Sequence, residues 1–354
     1  MRSPNQMYRM VSNDMDSRPT AGQAKVPSRG PVFVVGMNGS GTTMLLDHLD
    51  SHPLLFGFPL ETKILPDYLS GRRWRGDFSD NTKYFALWEH MTRSFPFVTA
   101  NQGQPVQIPA TWTDFPRAPA AVFNFIMKYF AAREGKVRWC EKSPMHVQYM
   151  TTLASAFPDA QFVHLIRDGR DCAASFHRRW GYTPRSSIYR WKRCVQDGRL
   201  QGASLGPSRY LEVSYENLTR DPLQQLTNIC AFLDIKFDVN MLRARRDASR
   251  VRGLSDRQIT TTDARYRTYF NSDDLLALEN IAGATLAALG YQTDCPTSDR
   301  DPHFLQRQAW RVIDRSRFAA SLLRARAAGP APFPWRRMYS KFARALRQFR
   351  SERF

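Results

Sequence analysis

The feature that most constrains the fold of this chain is a glycine-rich loop between an apolar run and a helical pattern. Residues 32–45 read VFVVGMNGSGTTML, so that four apolar residues lead into a segment of glycines and hydroxyl side chains. A buried strand that ends in such a loop and opens a helix directs backbone N–H groups at an anion, and hydroxyl groups add donors. The segment therefore predicts a phosphate-binding loop. Its candidate binding residues are Gly39, Ser40, Gly41, Thr42 and Thr43.

The loop is close to a Walker A motif but lacks its lysine. Gly36 and Gly41 have the spacing of G-x-x-x-x-G-K-[ST], whereas Thr42 occupies the lysine position. Without that lysine the loop is poorly equipped to hold a triphosphate with magnesium. A ligand with one phosphate and a neighbouring sulfate suits it better, and a glycine-rich turn without a ligand is the alternative.

Short apolar runs alternate with helical patterns along the chain. The runs that predict strands are 32–35, 137–139, 162–166 and 210–213. The segments that predict helices are 42–50, 83–93, 120–132, 148–156, 168–178, 187–198 and 303–327, with two more that begin at the caps Asp221 and Ser272. This alternation predicts an α/β fold, with a P-loop-like parallel sheet flanked by helices in a single domain.

Composition divides the chain into three parts. Residues 1–30 are polar and punctuated by glycine and proline, which predicts a disordered segment. Residues 31–295 carry the strand–helix pattern and predict the domain itself. Residues 296–354 predict a basic helical extension, because positions 299–354 hold 14 Lys and Arg against 4 Asp and Glu, in a chain of net charge +19.

The end of the extension predicts an amphipathic helix. Residues 335–350 read WRRMYSKFARALRQFR, with apolar side chains at three- and four-residue spacing and basic residues between them. Such a helix can lie in the headgroup region of an anionic membrane, and packing on the domain is the alternative. Nucleic acid is not expected as a partner, because the aromatic side chains share one helical face and form no stacking platform.

Cysteine usage bears on metal binding and location. The five cysteines are scattered and include no C-x-x-C pair, so no metal site is predicted. Scattered thiols fit a reducing compartment. The sequence shows neither an apolar run of about 18 residues nor the apolar core of a signal peptide. We therefore expect a cytoplasmic protein, with peripheral contact at the inner membrane surface through residues 335–350.

A second anion-binding segment is predicted where another buried run ends. Residues 157–176 read FPDAQFVHLIRDGRDCAASF, in which the strand 162–166 is followed by Arg167 and Arg170. Ligands of open parallel sheets bind beyond the carboxyl ends of the strands, and guanidinium groups bind phosphate bidentately. Ser175 lies about two helical turns beyond Arg167. A surface Arg/Asp network is the alternative.

A third segment, YLEVSYENLTRDP at residues 210–222, places Tyr215 directly after a predicted strand. A tyrosine ring at that point could stack on a base or hydrogen-bond to it. Taken alone, the residue is better explained as an ordinary half-buried tyrosine.

Together these segments resemble the sulfotransferases that use 3′-phosphoadenosine 5′-phosphosulfate (PAPS). GSGTT (39–43) resembles the family's 5′-phosphosulfate loop, HLIRDGRDCAAS (164–175) its 3′-phosphate segment, and ARYRTYF (264–270) its late segment that closes over the nucleotide. VSYENLTRDPLQQLTNICAFL (213–233) also matches, so the resemblance covers about residues 31–292 in order. It implies in-line transfer of the PAPS sulfuryl group to a hydroxyl acceptor and release of adenosine 3′,5′-bisphosphate. The cofactor-binding residues that it implies are Gly39, Ser40, Gly41, Thr42, Thr43, Arg167, Ser175, Tyr215 and Arg265.

Two further segments are similar to those of bacterial and tyrosylprotein sulfotransferases. FPLETKILPDYL (58–69) is similar to a segment that carries a general base, which implies this role for Glu61, with a pKa raised by burial. A helix-starting or salt-bridged carboxylate is the alternative for this residue. WCEKSP (139–144) is similar to a segment with a catalytic lysine, which implies that Lys142 stabilises charge on the sulfuryl and leaving oxygens. His146, four residues further on, is the substitute base.

One position departs from the family pattern. Gly39 stands where the family usually has Arg or Lys beside the bridging oxygen. The resemblance then leaves this contact to Lys142, together with Lys63. Whether the glycine reduces activity is left open.

Two rival classes of function stay open at this point. A P-loop kinase or NTPase would need Mg²⁺ and a carboxylate at a strand end, whereas Arg167 directly follows the strand 162–166. A non-enzymatic basic protein would bind membrane or nucleic acid through its extension. The sequence does not decide whether the acceptor is a sugar, a lipid, a peptide or a small alcohol.

Overall fold

The computed structural model describes residues 30–71, 77–243 and 264–327. The predicted disordered segment 1–30, apart from its last residue, and the predicted amphipathic segment 335–350 lie outside these ranges. The division of the chain into three parts therefore stays a prediction.

A parallel sheet lies at the centre of the described residues. Its strands are β1 (Val32–Gly36), β2 (Leu55–Gly57), β3 (Arg138–Lys142), β4 (Gln161–Ile166) and β5 (Tyr210–Ser214). Their order is β2-β3-β1-β4-β5, and every neighbouring pair is parallel, which confirms the predicted fold class. The sequence does not predict β2, because its three residues are too few to show a periodic pattern.

Helices flank the sheet on both faces. In the described ranges they are α1 (Thr42–Asp50), α2 (Leu65–Leu69), α3 (Asn81–Thr92), α4 (Phe95–Ala100), α5 (Pro119–Arg133), α6 (Met150–Ala156), α7 (Gly169–Trp180), α8 (Pro184–Leu205), α9 (Tyr215–Arg220), α10 (Pro222–Leu233), α11 (Tyr266–Tyr269), α12 (Ser272–Ala288) and α13 (Phe304–Ala327). Short 3₁₀ segments lie at Trp112–Asp114, Pro144–Tyr149 and Val239–Leu242. α1 has its predicted bounds, whereas α8 extends beyond the predicted 187–198 at both ends.

The structure confirms one predicted helix N-cap and shifts the other by one residue. Asp221 caps α10 as predicted, because its side chain accepts a hydrogen bond of 3.0 Å from the N–H of Gln224. The predicted cap of α12 is wrong by one residue, since Asn271 rather than Ser272 accepts a bond of 2.8 Å from the N–H of Asp274. An N-cap residue has an extended backbone, and Asn271 has it, with φ −76° and ψ 174°.

The sheet separates two apolar clusters, because successive side chains of a strand point to opposite faces. Phe33 and Val35 of β1 enter one cluster, together with aromatic side chains of α3 and α5. Val32 and Val34 enter the other, together with leucines of α1. β1 is therefore buried on both faces, and this position fixes where the following loop leaves the sheet.

The predicted helix 303–327 is α13, which packs on the start of α8. Asp314 is buried and accepts hydrogen bonds from the N–H (2.7 Å) and hydroxyl (2.9 Å) of Thr183 and from the hydroxyl of Ser186. Arg307 donates to the Tyr189 hydroxyl at 3.1 Å. The first helix of the extension is thus attached to the domain. Neither α13 nor any other described helix is long and apolar enough to cross a membrane.

Candidate active site

The strand order creates a crevice between the ends of β1 and β4. The chain leaves β1 towards β2 on one side of the sheet and leaves β4 towards β5 on the other. Gly36, the last residue of β1, is in register with Leu165 of β4. Ligands of open α/β sheets bind where two connections diverge in this way. The predicted loop 39–43 and Arg167 follow these two strands directly, so they meet at this point.

The loop after β1 has the backbone of an anion-binding turn. Gly39 and Gly41 have left-handed φ angles of 94° and 97°, which glycine adopts at little cost. Gly41 is the N-cap residue of α1, whose first residues are Thr42 and Thr43, and it offers no side chain to cap the helix. The Ser40 hydroxyl is buried without a hydrogen-bond partner among the described residues. A bound anion would accept hydrogen bonds from the N–H groups at the start of α1 and from the Ser40 hydroxyl.

Two predicted binding residues, Ser175 and Tyr215, pack closely on glycines of the loop. A Cβ added to Gly39 would lie 3.4 Å from the Cβ and Oγ of Ser175. A Cβ added to Gly41 would lie 2.7 Å from two ring carbons of Tyr215, closer than real contacts allow. The structure therefore brings Ser175 and Tyr215 to the loop, as the sequence predicts.

Arg167 joins the same group of residues. Its guanidinium lies 4.3 Å from the centroid of the Tyr215 ring, which is a cation–π distance. It also donates to the carbonyl of Gly39 at 3.3 Å and to the Asp171 carboxylate at 3.2 Å. A cation is thus held beside the loop, with a carboxylate behind it to fix its orientation.

The second predicted arginine of the anion site has a different place. Arg170 is buried and donates to both oxygens of Asp168, at 3.0 and 2.7 Å, and to Glu279 at 2.6 Å. The expectation that both arginines bind the anion is wrong for Arg170, because two protein carboxylates already surround its guanidinium. This residue instead links the start of α7 to α12.

The late segment is attached to α7 next to Arg167. The N–H of Tyr266 donates to Asp171 at 2.9 Å, and the Arg170 guanidinium lies 4.1 Å from the centroid of the Tyr266 ring. Arg265 itself is exposed at the start of this segment. Its place on a nucleotide therefore stays a prediction.

The predicted catalytic pair is in direct contact. Lys142, the last residue of β3, donates from Nζ to Oε1 of Glu61 at 3.0 Å. Lys63 lies 2.7 Å from the other oxygen, Oε2. The Lys142 side chain is buried and that of Lys63 is exposed. Each oxygen of the carboxylate thus has its own lysine.

The two lysines determine the protonation of Glu61. Burial raises the pKa of this carboxyl group, but the charges of Lys142 and Lys63 and their hydrogen bonds outweigh burial and lower it to about 2. The expected raised pKa is therefore wrong for the chain without ligands, because the sequence does not reveal that both lysines converge on one carboxylate.

Glu141 is a site residue that the sequence patterns do not predict. It is fully buried, and its Oε1 accepts from the N–H (3.2 Å) and hydroxyl (2.8 Å) of Thr62 and from the Ser143 hydroxyl at 2.5 Å. Ser143 in turn accepts from the N–H of Lys63 at 3.2 Å. Glu141 therefore holds the residues that flank Glu61. The sequence pattern did not mark Glu141, because it lies two residues beyond the predicted strand 137–139, whereas β3 extends to Lys142.

His146 lies behind this carboxylate. Its Nδ1 is 3.1 Å from Oε2 of Glu141, and its ring is buried 6.3 Å from the ring of Phe33, measured between centroids. The histidine belongs to a 3₁₀ segment, Pro144–Tyr149, rather than to an α-helical turn after Lys142. The structure thus pairs His146 with Glu141, and its role as a substitute base stays a prediction.

The assembled site can bind an anion and serve a proton transfer. The loop, Ser175 and Arg167 offer donors at one end, and Lys142 lies at the end of the neighbouring strand β3, where it pairs with Glu61. Among the described residues, no group of three or more His, Cys, Asp or Glu side chains is placed to hold a metal ion.

Known proteins match the chain over most of this site. A family model described as "Sulfotransferase family" matches residues 31–239. A putative protein-tyrosine sulfotransferase from Caenorhabditis briggsae is 25% identical over 289 residues, which cover 76% of this chain and 91% of the relative. Protein-tyrosine sulfotransferase 2 from Gallus gallus is 26% identical over 60% of this chain and 53% of the relative, so the chain spans about half the length of that protein.

A solved structure supports the fold. The sulfotransferase domain of the olefin synthase from Synechococcus PCC 7002 has a TM-score of 0.50 and 23% sequence identity to this chain. The match covers 74% of this chain and 98% of that domain. At this identity the likeness shows a shared architecture.

Proposed function

The chain belongs to the sulfotransferase family and is therefore an enzyme of sulfuryl transfer, and from this premise we propose that PAPS is its donor and a hydroxyl group its acceptor. The observation that carries the proposal is the contact of the glycine loop with Ser175, Tyr215 and Arg167. These residues come from three separate strand ends and offer N–H, hydroxyl and guanidinium groups to one ligand.

Different residues of the crevice bind different parts of the ligand. The loop 39–43 holds the 5′-phosphosulfate through backbone N–H groups and hydroxyls, and the buried Ser40 hydroxyl gains a partner there. Arg167 and Ser175 lie beside this loop at Gly39 and bind the 3′-phosphate, the role implied by the resemblance of residues 164–175 to the family's 3′-phosphate segment. Tyr215 and Arg265 contact the nucleoside. When bound, PAPS supplies an activated sulfuryl group and leaves as adenosine 3′,5′-bisphosphate.

Lys142 and Glu61 serve the transfer itself. In the chain without ligands their ion pair holds the Glu61 carboxylate at a low pKa, and such a carboxylate is a weak base. Sulfuryl oxygens compete for the ammonium groups of Lys142 and Lys63, so binding releases Glu61 and raises its pKa. Glu61 then accepts the proton of the attacking hydroxyl, while Lys142 stabilises charge on the sulfuryl and leaving oxygens.

Tyrosine is the first candidate for the acceptor. Several relatives are named protein-tyrosine sulfotransferases, and the Caenorhabditis briggsae protein is matched over most of its length. We infer that the acceptor is a phenolic hydroxyl of a peptide. A phenol needs less help from a base than an alcohol does, because its pKa is about 10.

A kinase or NTPase is not favoured. The lysine position of the Walker A motif holds Thr42, and β4 is followed by Arg167 rather than by a carboxylate. A cytoplasmic location stays a proposal, supported by five cysteines that are all free, four of them buried.

Ligand-dependent melting tests the nucleotide. Adenosine 3′,5′-bisphosphate should raise the melting temperature more than AMP, ADP or ATP at equal concentration, because only it carries the 3′-phosphate that Arg167 binds. Transfer of radiolabelled sulfate from PAPS to a tyrosyl peptide, and not to the matched phenylalanyl peptide, tests the acceptor. Stabilisation by ATP alone would overturn the proposed donor, whereas transfer to other alcohols would overturn only the acceptor.

A further inference from the structure

Helix α13 contacts the domain along one face. Its buried contacts come from Arg307, Asp314 and Phe318, which lie seven and four positions apart and so share one side of the helix. Phe318 packs its ring 6.0 Å from the ring of Tyr182, measured between centroids. The side turned towards the domain is therefore defined by direct contacts.

The opposite side of α13 is an exposed apolar stripe. Leu305, Val312 and Leu323 are 67%, 65% and 61% exposed. Their spacing of seven and eleven residues places them on one line along the helix, over about 27 Å. Small exposed residues fill the gaps of this line, namely Ala309, Ser316 and Ala319. Ile313 widens the stripe and is also exposed.

Charge on α13 has a single sign outside its buried face. The helix contains six arginines and one acidic residue, Asp314, which is turned into the domain. At 100° per residue, Arg315 and Arg317 fall on the two opposite flanks of the stripe, and both are exposed. An apolar stripe with arginines on both flanks is the pattern of a helix that lies in a lipid headgroup layer.

We propose that α13 docks this stripe onto an anionic membrane surface, with its axis parallel to the membrane and its arginines at the lipid phosphates. A second copy of the chain fits less well, because two such helices would bring arginines of like charge together. Nucleic acid also fits less well, because the stripe consists of aliphatic rather than stacking side chains. This docking does not depend on sulfuryl transfer.

Sedimentation of the full chain with lipid vesicles tests this docking. The chain should bind vesicles of phosphatidylcholine mixed with phosphatidylglycerol, bind pure phosphatidylcholine vesicles weakly, and lose binding as salt rises. The double variant Leu305→Gln, Val312→Gln should lower the vesicle partition coefficient by about tenfold or more, because two aliphatic side chains no longer enter the headgroup layer. Arg315→Gln together with Arg317→Gln should remove much of the salt dependence.

A matched control tests whether the loss of vesicle binding is specific to the α13 stripe or follows from replacing any exposed leucine. Leu200 on α8 and Leu223 on α10 are 75% and 52% exposed. The double variant Leu200→Gln, Leu223→Gln makes the same chemical change away from α13 and should bind vesicles like the wild type. Unchanged circular dichroism and melting of all variants would show that the substitutions leave the fold intact.

Several results would overturn the proposal. One is a wild-type chain that does not bind anionic vesicles. Another is equal binding of the α13 variants and the wild type, which would assign any binding to other parts of the chain, including residues 335–350. A third is self-association of the wild type in sedimentation velocity, or its binding to a DNA duplex, if the stripe variants lose this property but still bind vesicles.

Discussion

Oε1 of Glu61 and Nζ of Lys142 lie 3.0 Å apart, so the proposed base and the proposed charge-stabilising cation neutralise each other in the chain without ligands. Lys63 contacts the second oxygen of Glu61 and completes the arrangement. A ligand that brings negative oxygens to the two lysines must compete with this carboxylate. Until such a ligand binds, both lysines are therefore paired with Glu61.

Removing the charge of Glu61 should reduce turnover without weakening nucleotide binding. Glu61→Gln should reduce turnover by roughly 10²–10⁴, the usual contribution of a general base, and should leave nucleotide affinity unchanged or higher, because the lysines no longer have a competing carboxylate. Turnover is measured with a true acceptor and affinity by calorimetry.

The control for this variant is Glu89→Gln, which removes an exposed carboxylate on α3 that is paired with Arg93. It should leave both quantities unchanged. Full turnover of Glu61→Gln, combined with loss of turnover in His146→Ala, would contradict the assignment of the base and move it to His146.

The pKa of Glu61 predicts a pH dependence of stability. Its folded-state pKa of about 2 lies below the ordinary value of 4.5, so the charged form is favoured by folding. The resulting stabilisation is present above pH 4.5 and is lost as the pH falls towards 2. The difference in the free energy of unfolding between the wild type and Glu61→Gln should therefore be constant above pH 5 and shrink below it. A constant difference down to the lowest accessible pH would contradict the low pKa.

Glu141 should act on turnover through the residues that it holds. Glu141→Met removes Oε1, the oxygen that accepts all three hydrogen bonds, and each donor left unsatisfied costs about 1–3 kcal/mol of the free energy of unfolding. Because Thr62 and Ser143 then lose their fixed positions, turnover should fall while the KM for PAPS changes little. Urea denaturation and steady-state kinetics, both well below the melting temperature, measure the two effects. Normal turnover in a destabilised variant would show a purely structural role.

Local patterns in the sequence predict the parts of the site that follow directly from strands. The loop after β1, Arg167 after β4 and Tyr215 after β5 all lie where the strand–helix pattern places them. They meet because the carboxyl ends of parallel strands share one edge of the sheet. The strand order, which puts β1 and β4 side by side, follows from packing and is not written in any local pattern.

Partners that are distant along the chain could not be predicted in this way. Thr62 and Glu141 are 79 positions apart, and Arg170 and Glu279 are 109 positions apart. Neither spacing produces a periodic signal, and each pairing depends on the tertiary packing of whole elements. The same reason explains why the local environment of Glu61 suggests a raised pKa whereas its distant partner Lys142 lowers it.

Arg167 should distinguish ligands by their 3′-phosphate. Arg167→Ala should weaken the binding of adenosine 3′,5′-bisphosphate by about 1.5–3 kcal/mol, as expected for the loss of a charged hydrogen bond, and should hardly affect AMP. Calorimetry with the two ligands measures this difference. Arg193→Ala is the control, because it removes another ion-paired arginine, on α8, from a site outside the crevice. Equal losses for both ligands would contradict the assignment of Arg167 to the 3′-phosphate.

The loop glycine Gly41 should be intolerant of even one methyl group. Gly41→Ala introduces two separate strains, a left-handed φ of 97° and a Cβ that lies 2.7 Å from the Tyr215 ring. Gly135→Ala is the matched control, because Gly135 has a left-handed φ of 68° but nothing within 4 Å of an added Cβ. The control should lose only the backbone contribution of about 1–2 kcal/mol to stability and keep its affinity for adenosine 3′,5′-bisphosphate. Gly41→Ala should lose that affinity as well, because the methyl group displaces Tyr215 and with it the stacked Arg167. Equal affinities of the two variants would show that the contact between the loop and Tyr215 does not support the nucleotide.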